Sequence, residues 1–113
     1  MTAVTTEAIP ALLEEIDELL ADSPEGEADT LARLERTLTD GYAYALALEA
    51  ERYRLERRMS ELAGELHDGN QELKTKELAL VSDRLSSNAS VLSVLRNTLT
   101  QLRARATAVR SRN

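Results

Sequence analysis

Arg52 and Asn88 stand out in this 113-residue chain because each interrupts a seam that is otherwise apolar. One seam reads Leu31, Leu34, Leu38, Gly41, Ala45, Leu48, Arg52, Leu55, Met59, Leu62, Leu66. The other reads Leu78, Val81, Leu85, Asn88, Leu92, Leu95, Leu99, Leu102, Ala106, Val109. A guanidinium and a carboxamide in adjacent layers of a bundle core could bind an anionic ligand. That chemistry would make a small all-helical enzyme or a ligand-binding bundle. The same pair has a plainer use as a polar core layer that fixes register and partner choice. The long Arg52 side chain can also reach the bundle edge and pair with Glu49 or Glu56. The plainer use is favoured, because a buried charge left without its partner costs about 3–5 kcal/mol.

Other candidates resolve the same way. Arg52, Arg54, Arg57 and Arg58 could clamp a phosphate, but Glu49, Glu51, Glu56 and Glu61 are interleaved with them. Pairs three and four residues apart satisfy such a cluster locally. His67 is the only histidine and there is no cysteine, so neither a metal site nor a nucleophile–base pair can be assembled around it. The carboxylates Glu14, Glu15, Asp17 and Glu18 lack the alternating spacing of a calcium loop. Arg96, Arg103, Arg105, Arg110 and Arg112 make the C-terminal end basic and suggest weak nucleic-acid binding as a third reading. Aromatic residues for base stacking are missing there, and the net charge is −6. Ser82, Ser86, Ser87, Ser90 and Ser93 form a small, weakly polar stripe that suits either close helix approach or plain solvent contact. No catalytic, cofactor-binding or metal-binding residue is assigned, and no enzyme activity is expected.

Interaction residues are easier to nominate. Tyr42, Tyr44 and Tyr53 are the only aromatic residues, and tyrosine is enriched where interfaces gain most of their energy. The stretch Tyr42–Leu48 is apolar all round, as are positions Leu80, Val91 and Val94 off the second seam. A two-helix hairpin cannot bury all of these by itself. Tyr42, Tyr44, Leu46, Tyr53, Val91 and Val94 are therefore the expected interface, with a second copy or another helical protein as partner.

The elements that position these residues follow from the spacing. Ala, Leu, Glu and Arg dominate, Phe and Trp are absent, and the seams alternate steps of three and four. This is the heptad pattern of helices packed along a seam. Helix 1 is expected over about residues 7–21, helix 2 over about 27–67 and helix 3 over about 70–108, with a frayed tail at 109–113. Ser23 and Pro24 suit the start of helix 2. Gly69 suits a left-handed residue after helix 2, and Asn70 suits the cap of helix 3. So short a turn makes helices 2 and 3 antiparallel. Counting back from it places Met59 opposite Leu78, Arg52 opposite Leu85, Ala45 opposite Leu92, and Leu38 opposite Leu99.

The expected fold is all-α and a single domain over 1–113. It is a long antiparallel, coiled-coil-like hairpin with a short N-terminal helix, dimerising into a helical bundle. Residues 1–30 carry nine acids and no base, while residues 70–113 carry three acids and eight bases. The acidic face of helix 1 is therefore expected against Arg96, Arg103, Arg105 and Arg110. No apolar run approaches the roughly 20 residues of a membrane span, and no basic–apolar leader is visible. A soluble cytoplasmic homodimer, with no metal, cofactor or membrane partner, is the resulting expectation.

Overall fold

A chain with apolar residues every three and four positions can bury one stripe of each helix, and this chain does so on three helices. The computed structural model describes residues 8–21 and 28–112. They form α1 (Ala8–Ala21), α2 (Ala28–Glu65) and α3 (Gln71–Arg112), with no strand among the described residues. The fold is the expected all-α helical hairpin with a short N-terminal helix. The capping roles of Ser23 and Pro24, and the outer ends expected at residues 7, 27 and 113, lie outside the described residues.

The turn between α2 and α3 has the expected chemistry. Gly69 takes φ +76°, a conformation glycine adopts without the steric cost a Cβ would bring. The Asn70 side chain accepts from the Leu73 amide at 3.2 Å and so caps α3. Helix α2 ends at Glu65, two residues earlier than expected. Lys74 closes this end, its ammonium donating to the Glu65 carbonyl at 2.9 Å and also to the Asp68 carbonyl in the turn. A cation at a helix C-terminus satisfies orphan carbonyls and complements the dipole.

The expected frayed tail is corrected. Helix α3 continues through Arg112, and Val109 is fully buried. The Arg110 guanidinium donates from Nη2 to Glu35 Oε1 at 2.8 Å. One apolar side chain and one pair across to α2 hold the last turn that the sequence alone leaves to fray.

The chain divides into two compact units, one drawn from Met1–Ala47 with Ser93–Asn113 and the other from Leu48–Leu92. In the first unit, α1 buries Ile9, Leu12, Ile16 and Leu19, a stripe at steps of three, four and three. The α3 seam there is closed throughout, with Leu95, Leu99, Leu102, Ala106 and Val109 at most 2% exposed. Leu99 lies against the backbone of Gly41. The pairing counted from the turn put Leu38 there. The difference is three residues, one step along the α2 seam from Leu38 to Gly41.

The second unit contains two helices. Leu48, Leu62, Val81, Asn88 and Leu92 are buried. Leu55, Met59, Leu66, Leu78 and Leu85 of the same seams are only half-buried.

Candidate functional site

Asn88 is the one member of the expected polar layer that the fold takes inside. It is 5% exposed, and its Nδ2 donates to the Leu48 carbonyl at 3.0 Å. Its Oδ1 is buried without a hydrogen-bond partner. An acceptor left in that state costs about 1–3 kcal/mol. Arg52 leaves the layer in the way the plainer reading expected, its side chain 49% exposed and its Nε donating to Glu56 Oε1 at 2.8 Å, so that of the two only Asn88 is buried in the seam. The aliphatic stem lets the guanidinium leave the seam for water, and a carboxylate one turn on receives it. Asn88 is thus held inside by the Leu48 carbonyl, while the Arg52 guanidinium is paired at the surface.

Of the other basic residues of this stretch, Arg58 is held by two carboxylates. Arg58 donates from Nε to Glu77 Oε1 at 3.0 Å and from Nη1 to Glu61 Oε2 at 3.2 Å. Its hydrogen bonds to the carboxylates of Glu77 and then Glu61 push its pKa up, so the charge stays on at every ordinary pH. The Arg58–Glu77 pair links α2 to α3 across the second unit. His67 is exposed on the turn. Among the described residues no group of three His, Cys, Asp or Glu side chains is placed to hold a metal ion. No described helix is long and apolar enough to cross a membrane.

In the first unit, a polar cluster not foreseen from the sequence fastens α1 to α2. Thr37 is 3% exposed and donates from Oγ1 to Glu15 Oε1 at 3.3 Å. Arg33 stands over the same edge, with Nε 3.9 Å from Glu15 Oε1 and Nη2 3.8 Å from Glu18 Oε2. An open cleft of about 200 Å³ runs along it, lined by Glu15, Arg33, Arg36, Thr37 and Asp40. Two acids and two bases leave the cleft no charge excess with which to capture an ion. These contacts correct the expected seat of α1's carboxylates. Glu15 and Glu18 meet Arg33 on α2, because they flank the buried stripe on its α2 side. A single sequence carries no signal for this cross-helix choice, since it depends on how α1 is rolled about its own axis.

The expected interface residues divide by exposure. Tyr42, Leu46, Tyr53 and Val94 are 47%, 68%, 73% and 50% exposed. Tyr44 and Val91 are half-buried. Two further leucines of α3 belong with the exposed set, Leu73 at 62% and Leu80 at 60%. Leu80 was foreseen as lying off the seam. Leu73 was missed, although it stands seven residues before Leu80 and so on the same helix face. The serines Ser82, Ser86, Ser87, Ser90 and Ser93 are all exposed, the plain solvent-facing arrangement. No protein-family model, curated protein or solved structure matches this chain.

Proposed function

We propose that this protein is a protein–protein interaction module that self-associates through the Tyr/Leu surface of α2 as a helical homodimer. One observation carries the reading. Tyr42 and Leu46, one turn apart on α2 and off its seam, remain 47% and 68% exposed. Side chains of that size left in water forgo about 1.5–3 kcal/mol each when fully exposed. Contiguous exposed apolar surface on a soluble helix commonly marks an interface. A second copy is the partner of choice because a two-fold interface sets the same patch against itself. Tyrosine serves it well, adding large area at small cost in side-chain entropy.

Light scattering coupled to size exclusion, across a dilution series, tests this. The expected result is a dimer that dissociates on dilution, and a Leu46→Glu variant that elutes as a folded monomer at every concentration. A wild-type chain that is monomeric throughout would refute self-association.

A further inference from the structure

Residues 33–40 of α2 read Arg-Leu-Glu-Arg-Thr-Leu-Thr-Asp, and residues 54–61 read Arg-Leu-Glu-Arg-Arg-Met-Ser-Glu. The first four positions are identical, and three of the rest exchange Leu for Met, Thr for Ser and Asp for Glu. The offset of 21 residues is three whole heptads, so every residue of the second segment holds the heptad position of its counterpart.

In the first unit, that segment is the seat of α1. Leu34 is fully buried, Arg33 faces Glu15 and Glu18, and Thr37 bonds Glu15. In the second unit, among the described residues, the repeated segment has no third helix upon it. Leu55, the counterpart of Leu34, is half-buried. On α3, Leu78 and Leu85 are half-buried, whereas their counterparts Leu99 and Ala106 are 2% exposed. Leu80, 60% exposed, lies one turn from Glu77, which Arg58 grips, and so on the same side of this unit. Arg54, the counterpart of Arg33, is exposed and has no ion pair among the described residues.

We infer that this side of the second unit is a second seat for a helix of α1's kind. The occupant is an acidic amphipathic helix of a partner protein. It carries Ile or Leu at the spacing of Ile9, Leu12, Ile16 and Leu19 and carboxylates placed as Glu15 and Glu18. The half-open leucines take its apolar stripe and Arg54 takes its carboxylates. The chain's own α1 is already seated in the first unit. The inference is independent of the homodimer, which rests on Tyr42 and Leu46.

A capped peptide of residues 8–21 serves as the probe, titrated into the isotope-labelled full chain and followed by amide shifts. So short a helix is marginal alone in water and orders as it binds. The expected result is saturable shifts at Leu55, Met59, Leu78 and Leu85. Arg54→Glu weakens binding about tenfold, as losing a charge pair and adding repulsion requires. A peptide carrying Glu15→Arg and Glu18→Arg prefers the Arg54→Glu chain to the wild type. Arg54 is exposed, so an unchanged urea midpoint verifies that its variant is folded. Shifts confined to Leu34 and Thr37 would mean exchange at α1's own seat and would overturn the inference. So would no saturable shift, or equal binding by the Arg54→Glu chain. Light scattering on the same samples reads self-association separately, so failure of the dimer and failure of the second seat are told apart.

Discussion

Replacing Gly41 with alanine sets helix propensity against packing, and the structure says packing wins. Glycine inside a helix costs about 1 kcal/mol relative to alanine. On propensity alone, Gly41→Ala near the middle of α2 should therefore stabilise the protein. A Cβ at Gly41, however, would overlap Leu99 Cδ2 and stand 3.3 Å from its Cγ and 3.5 Å from its Cδ1. Leu99 is 2% exposed and cannot swing into water. It must leave its rotamer or push its neighbours, and overpacking a dense core costs about 1–3 kcal/mol. The net expectation is a loss of roughly 1 kcal/mol. Two controls isolate the cause. Gly64 lies in the last turns of the same helix with nothing within 4 Å of a Cβ, so Gly64→Ala should give a gain of several tenths of a kcal/mol. In a Leu99→Ala background the overlap is gone, and Gly41→Ala should stabilise by about 1 kcal/mol, making a coupling energy near 2. Urea unfolding followed by helical circular dichroism measures all four corners of the cycle. A Gly41→Ala protein more stable than wild type, with no coupling to Leu99→Ala, would refute the reasoning.

Three further substitutions follow from the same geometry. Asn88→Leu removes the orphaned Oδ1 at the cost of the bond to Leu48 and should raise the urea midpoint by about 1 kcal/mol of stability; a loss of 2 kcal/mol or more would show that the Nδ2 bond outweighs the orphan. Arg52→Leu should change stability by no more than about 0.5 kcal/mol, as for an exposed ion pair; a much larger effect in the same denaturation assay would put the guanidinium back in the core. Val109→Ala should cost about 2 kcal/mol, because a fully buried branched side chain leaves a cavity behind; an unchanged thermal midpoint would restore the frayed tail.

The element types, the turn and the antiparallel pairing are legible in the sequence alone, because each depends on local pattern. Heptad spacing marks which face of a helix is apolar, and Gly69–Asn70 supplies both the left-handed residue and the cap that a tight helix–helix turn needs. The helix ends were less legible. Lys74 reaches back to the Glu65 carbonyl at the end of α2 and Glu35 reaches across to Arg110, and no local pattern announces either contact. Arg52 shows the limit of the heptad as a guide to burial. A seam position specifies where a Cα lies, while a long flexible side chain decides for itself whether the charge stays in the seam or leaves it.

What the sequence determined is therefore the set of helices and the faces they hide. What tertiary structure decided is which hidden faces are fully closed. In the first unit, where α1 packs, the α3 seam from Leu95 to Val109 is closed. The seam of the second unit follows the same heptads with two helices and leaves Leu55, Met59, Leu78 and Leu85 half open. Periodicity is a property of one helix at a time, whereas burial depends on how many neighbours stand around it. The roll of α1 that brings Glu15 to Thr37, and the fit of Leu99 into the space beside Gly41, are likewise settled by packing between helices remote in the chain.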